Sequence, residues 1–257
     1  MPLVRYGLAW FALALLLGCG QSPQVPSSRT STAFADGKSD LESVRAADIS
    51  ILFVGNSHTT HHGLPDLVEK MIQFRHPSKK VVTHVIGTAF LEDAATNQLL
   101  LDEIDSRPWK FVVLQAQKIS MSGRFRYSQT EGIDLAKRAK AKGATVFYFS
   151  EWGRKDITND AEGNEAIYRE MAKAADVNVV CVGRAWDLAL AERPELPLHE
   201  ADGNHESADG AFLTACVLVG RLLNQSPAPL AAFPYRDMSE ADRQFLAEKA
   251  AKSLEKK

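Results

Sequence analysis

The sequence predicts an α/β protein, a three-layer α/β/α sandwich on a parallel sheet, and three observations carry that reading. Short apolar runs rich in Val, Ile and Phe recur along the chain without polar alternation, as expected of strands covered on both faces. These runs alternate with longer segments of helical character, the pattern of right-handed βαβ units. The first run, Ile51-Leu52-Phe53-Val54, ends abruptly in Gly55-Asn56-Ser57. That places a hydroxyl where open α/β sheets carry their chemistry, at the C-terminal edge of the strands.

Taken in order, strands are expected at 50–54, 80–86, 111–115, 145–150 and 178–181. Helices are expected at 63–74, 89–106, 128–142, 159–175, 185–193, 207–223 and 240–256. The helix at 128–142 sets Ile133, Leu135, Ala136 and Ala139 against Lys137, Arg138, Lys140 and Lys142. Its cations read as a solvated face, and Gly143 supplies the stop. The helix at 207–223 is apolar from Phe212 to Leu223 and is expected in the core. The last helix ends in Glu255-Lys256-Lys257 and is expected to be a frayed surface element.

The N-terminus is organised differently. Arg5 precedes the apolar run from Leu8 to Leu17, which is short for a membrane span of about 20 residues and fits the core of an export signal. The run closes on Leu16-Leu17-Gly18-Cys19, which resembles a bacterial lipobox. The resemblance implies cleavage after residue 18 and lipidation of Cys19. Residues 20–46 are rich in Ser, Pro, Thr and Gln and read as a flexible tether. The expected organisation is a signal peptide at 1–19, a tether at 20–46, a folded domain at 47–236 and a C-terminal helix at 237–257. Such a chain would be exported and held by its lipid at a bacterial membrane, with the outer membrane or cell surface as the address. A formal charge of −2 argues against a nucleic-acid partner. No cofactor is expected, and a monomer is. Cys181, on a strand, and Cys216, in a helix, read as small buried hydrophobes.

A serine hydroxyl becomes a nucleophile when a base takes its proton during attack. Histidine suits that role near neutral pH, and a carboxylate fixes its tautomer. Asp202-Gly203-Asn204-His205 offers both groups in a turn-like segment before a helix. Ser57 is therefore the candidate nucleophile, His205 the base and Asp202 its orienter.

With these residues, the chain resembles the SGNH/GDSL hydrolase superfamily, esterases on a flavodoxin-like sandwich. Gly55-Asn56-Ser57 matches the first block, whose usual form is Gly-Asp-Ser, and Asp202 and His205 match the last. Gly87, in Val85-Ile86-Gly87-Thr88, matches the oxyanion-hole glycine. The resemblance spans about residues 49–223. The third block departs from the family: where Gly-x-Asn-Asp is usual, the chain reads Gln115-Ala116-Gln117. Gln117 is the substitute amide donor to the oxyanion, and Gln115 the second choice.

Other residues at the same sheet edge are candidates for binding substrate. Asn56 and His58 flank the nucleophile, and His58 could compete as the base. His58, His61 and His62 cluster, but without a carboxylate pattern they border a polar cleft and no metal is expected. Trp152 and Arg154, in Glu151-Trp152-Gly153-Arg154, suit stacking on a sugar and pairing with a substrate carboxylate. The expected function is serine hydrolysis of small acyl esters. The resemblance points to acetyl groups on carbohydrate. The alternative is a non-catalytic, carbohydrate-binding surface lipoprotein that keeps the fold; hydrolysis of a phosphodiester or thioester is a further option.

Overall fold

The computed structural model describes residues 37–255. The signal peptide at 1–19, the lipidation site Cys19 and the tether before residue 37 lie outside the described residues. The described chain folds around one all-parallel sheet of five strands. These are β1 (Ile49–Gly55), β2 (Val81–Gly87), β3 (Phe111–Leu114), β4 (Thr145–Ser150) and β5 (Asn178–Cys181), in the order β2-β1-β3-β4-β5. All five expected strands form. The order reverses direction at β1, so the exits of β1 and β3 face a crevice between the two halves of the sheet.

The continuous apolar runs follow from burial on both faces. Along β1, Ile51 and Phe53 point into one core and Leu52 and Val54 into the other, all four with no exposed surface. Neighbouring residues of a strand take opposite faces, so a strand sandwiched between helices needs apolar side chains at both. The first core is closed by α3 (Leu64–Arg75), α8 (Gly183–Glu192), α9 (Ala208–Leu223) and α10 (Glu240–Leu254). The second is closed by α5 (Gln98–Ser106), α6 (Thr130–Ala141) and α7 (Asp160–Ala175). Two short helices complete the frame: α2 (Ser57–Thr60) follows β1, and α4 (Leu91–Ala94) precedes α5.

Three expectations need correction. The tether is shorter than 20–46 at its C-terminal end, because Gly37–Arg45 forms helix α1 and Val44 packs into the second core. The single helix at 89–106 is two, α4 and α5. The side chain of Asn97 accepts a hydrogen bond from Leu100 N, and this N-cap starts a new helix at Gln98. The last helix is not frayed, since Leu246, Ala247 and Ala250 are fully buried against α8 and α9. Lys249 pairs with Glu192 across that contact. Cys181 and Cys216 are free thiols. No helix among the described residues is long and apolar enough to cross a membrane.

Candidate active site

The turn after β1 is held by a buried glutamine. Gln115, fully buried at the exit of β3, accepts hydrogen bonds at Oε1 from Asn56 N (3.1 Å) and from Thr59 Oγ1 (2.7 Å). Gly55 makes room for this arrangement. A Cβ there would lie 2.1 Å from Thr59 Oγ1 and 2.6 Å from Gln115 Oε1, well inside contact distance. Asn56 then caps α2, its Oδ1 accepting from His58 N at 3.0 Å. A short polar side chain with an acceptor oxygen serves an N-cap, so asparagine does this work without a charge. Ser57 occupies the first position of α2, where its N–H has no intrahelical acceptor, and its side chain is exposed.

The segment before α9 delivers the other two groups. Asp202 Oδ1 accepts from the backbone N–H groups of Asn204 (2.9 Å) and His205 (3.0 Å), and Gly203 turns the chain at φ +68°. His205 Nδ1 lies 2.5 Å from Asp202 Oδ2, and its Nε2 lies 2.7 Å from Ser57 Oγ. The carboxylate places the proton on Nδ1, so the serine hydroxyl donates to the free Nε2. The hydrogen bond from His205, with those from the two backbone N–H groups, holds the Asp202 carboxyl well below its ordinary range. The structure thus brings Ser57, His205 and Asp202 into one hydrogen-bonded chain.

The turn that carries the histidine is pinned from behind. Asn204 O accepts from Trp152 Nε1 (3.0 Å) and from His58 Nε2 (3.2 Å). Trp152 is in turn stacked on Trp186, with ring centroids 4.5 Å apart and planes 7° from parallel. Burial pushes the His58 imidazole down to about 4, so it stays neutral. Its ring nitrogens lie 3.2 Å from Asn204 O and 3.3 Å from Asn56 Oδ1, while Ser57 Oγ is bonded to His205, so His58 is not the base for Ser57. His58 and Trp152 are supports for the His205 turn that also form cavity wall.

A cavity of about 150 Å³ opens beside Ser57 and His205, walled by Gln117, Glu151, Trp152 and Asn164 among others. Arg154 reaches its rim but is not free for a substrate carboxylate. Its guanidinium pairs with Asp160 through Nε (2.8 Å) and Nη2 (2.5 Å), and Nη1 donates to Met121 O. That expectation is corrected by a partner on α7. Gln115 is corrected likewise: its carbonyl oxygen braces the nucleophile turn, and it lies outside the cavity wall. Gln117 does face the cavity, with its Nε2 donating to Ile119 O at 2.9 Å. Gly87 ends β2 directly beside Gly55, and Thr88 N donates to Gly55 O. A wider groove of about 740 Å³ runs alongside between the segments 153–162 and 186–201, sharing Arg154 and Asp160 with the small cavity.

The histidine cluster has the carboxylate that its local sequence lacks. His61, His62 and Glu200 place three ligand atoms within 4.8 Å of one another. Both nitrogens of His62 are already engaged, however. Arg236 Nη2 donates to Nδ1 (3.1 Å), and Nε2 lies 2.9 Å from Glu200 Oε1. A metal on Nε2 would require a proton on Nδ1, facing the arginine donor. The group fits a bridge between the 61–63 turn and Glu200 better than a metal site.

Sequence reasoning missed Glu151 and Asn164 as cavity residues. Glu151 lies in the very segment singled out for Trp152 and Arg154. A glutamate is ordinarily solvated, so nothing local signals its burial.

No family model matches the sequence, and no curated protein matches it. Solved structures do. A Slackia heliotrinireducens protein proposed to be an SGNH hydrolase shares 23% identity, covering 66% of this chain and 97% of its own, at a TM-score of 0.53. A catalytic mutant of the acetylxylan esterase Axe2 from Geobacillus stearothermophilus shares 15%, covering 69% and 95%, at 0.54. The psychrotrophic esterase EstA from a Pseudoalteromonas species shares 14%, covering 69% and 100%, at 0.51. The described chain therefore has the α/β/α fold of the SGNH hydrolases and esterases.

Proposed function

We propose that this protein is a serine ester hydrolase acting on small acyl esters. The observation that carries the reading is the continuous chain from Ser57 Oγ through His205 to Asp202, at 2.7 and 2.5 Å. Ser57 Oγ attacks the ester carbonyl carbon while its proton passes to His205 Nε2, and Asp202 stabilises the imidazolium. The carbonyl electron pair moves onto oxygen. The Ser57 N–H and the Gln117 amide, both at the cavity wall, are the donors assigned to that oxyanion, and the Gly87 N–H is added from the family resemblance alone. Gln117 Nε2 carries two hydrogens; one is donated to Ile119 O, which leaves the other for the oxyanion. Collapse expels the alcohol, which takes the proton from His205. Water, deprotonated by His205, then releases the acyl group from Ser57.

The substrate class we assign is acetyl or similarly short acyl esters of carbohydrate. The small cavity beside Ser57, the wide adjoining groove and the likeness to an acetylxylan esterase support it. We further assign an exported location with lipid on Cys19, from the lipobox-like Leu16-Leu17-Gly18-Cys19.

The test is covalent labelling with a fluorophosphonate. Labelling of the native protein is expected, and none of Ser57→Ala or His205→Ala. A folded native protein that does not label would instead favour the carbohydrate-binding alternative.

The supports behind His205 make a second prediction. His58→Ala removes one donor to Asn204 O and frees the turn. A displacement near 1 Å at a reacting group can cost about 10²-fold. A kcat loss of about 10- to 100-fold is expected, with KM little changed, checked by steady-state kinetics on p-nitrophenyl acetate. An unchanged kcat would mean that Trp152 alone holds the turn.

A further inference from the structure

The cavity beside Ser57 is walled in part by a buried carboxyl for which the hydrolytic cycle has no use. Glu151 directly follows β4 and is 6% exposed. It walls the same cavity as Ser57 and His205, and its Oε2 is buried without a hydrogen-bond partner. An unsatisfied buried polar atom costs about 1–3 kcal/mol, and such atoms are uncommon in native proteins. At the wall of a cavity that admits a ligand, the economical account is a partner that arrives with the ligand.

We propose that Glu151 is a specificity-determining residue, presenting its carboxyl as a hydrogen-bond donor to an uncharged acceptor oxygen on the acyl group seated beside Ser57. The inference rests on the ester hydrolase reading above. The acyl side is assigned by size. About 150 Å³ is roughly five times the share of one liquid water, enough for a short chain, and the wide groove alongside leaves room for the alcohol.

The charge state follows from the surroundings. Burial raises the Glu151 carboxyl to about 8. From α7, Asp160 adds to the rise, while its partner Arg154 is committed to it. Lys118, from the loop after β3, opposes the rise. That ammonium is itself fully buried, donates to Ser128 O at 2.9 Å and lies 3.5 Å from Glu92. Tyr168, also on α7, donates its hydroxyl to Ala116 O and accepts from Ala116 N. The backbone N–H of Glu151 and the Tyr168 hydroxyl also favour the charged form, and desolvation outweighs them together with the one cation, so at neutral pH Glu151 carries its proton. A neutral carboxyl is a donor where a carboxylate is only an acceptor.

An uncharged ether, hydroxyl or carbonyl oxygen on the acyl chain is therefore favoured. A carboxylate there is refused, because the cavity offers it the Glu151 and Asp160 carboxyls and, among the described residues, no free cation. The amides of Gln117 and Asn164, which face the same space, suit the same kind of ligand.

The experiment uses the full chain and three p-nitrophenyl esters: pentanoate, the isosteric 3-methoxypropionate and the anionic hemisuccinate. At pH 6.5 the native protein is expected to prefer methoxypropionate over pentanoate by about tenfold in kcat/KM, as one net hydrogen bond of about 1.4 kcal/mol would give. The preference resides in KM, and hemisuccinate is the poorest substrate. As pH rises through about 8 the preference should fade. Glu151→Gln, which keeps a donor and cannot ionise, should retain it at every pH. Glu151→Met should lack it throughout.

A ratio between two substrates on one preparation does not depend on how much of a variant folds, and the Gln variant serves if the Met variant does not fold. Equal ratios in all three proteins, or a fading preference that persists in Glu151→Gln, overturn the role of Glu151. If the folded native protein also fails to label with the fluorophosphonate, the hydrolase reading falls and takes this inference with it. Intact labelling with equal ratios removes this inference alone.

Discussion

Loss of any one member of the Ser57–His205–Asp202 chain is expected to remove most of the proposed ester hydrolysis, and loss of a second to remove little more. Ser57→Ala and His205→Ala should each lower kcat by about 10⁶-fold, since groups acting as one unit fail as one. The double variant should match either single one. Asp202→Asn is the more telling change, with an expected loss of about 10⁴-fold. Asp202 Oδ1 is already held by the N–H groups of Asn204 and His205, so an asparagine would keep its carbonyl oxygen there and turn its NH₂ to His205. His205 Nδ1 must then accept, which moves the ring proton to Nε2, where it faces Ser57 and cannot take the serine proton. The fold should survive, because Asp202 is exposed and the turn keeps its acceptor. Kinetics on p-nitrophenyl acetate for the three single variants and the Ser57→Ala/His205→Ala double check this. Additive losses in the double variant would mean that the two residues do not share one step.

The sheet and the proposed triad were legible because each leaves a local mark. A parallel strand buried on both faces must be apolar at successive positions, and β1, β3 and β4 are. The pair Asp202 and His205 is three residues apart, close enough to read as one element. What stayed hidden depends on contacts far apart in sequence. Gln115 reads as a donor available to substrate, yet its partners are Asn56 and Thr59, 59 and 56 residues away. Arg154 is the exception, since Asp160 lies only six residues on; it reads as a free cation because the pairing needs the turns at 155–156 and 158–159 that lead into α7. The C-terminal helix is the clearest case. Its charged sequence suggests a solvated element, while the buried stripe of Leu246, Ala247 and Ala250 has meaning only against α8 and α9.

Alkaline pH is expected to destabilise this protein through Glu206, the residue next to the proposed base. Glu206 has no exposed surface, and neither carboxyl oxygen has a hydrogen-bond partner. Burial, with the negative charges of Glu200 and Asp202, raises it from 4.5 to about 8. The folded state therefore keeps a proton that the unfolded chain releases near 4.5. Stability falls as pH rises between those values and levels off above about 8. At 1.36 kcal/mol per unit, the loss is a few kcal/mol, with about 5 kcal/mol as its ceiling. Tyr235, whose buried hydroxyl also lacks a partner, offers no cation to offset it. Glu206→Gln removes the titration while keeping the shape. Its advantage over the native protein should be near zero at pH 4.5 and should grow to about 3–5 kcal/mol at pH 8.5. Glu151 ionises over a similar range, but it is present in both proteins and cancels from the difference. Urea unfolding at pH 5 and 8.5 measures this directly. A stability difference that does not change between the two pH values would show that Glu206 is ionised in the folded state, held by a polar partner such as a buried water between it and Tyr235.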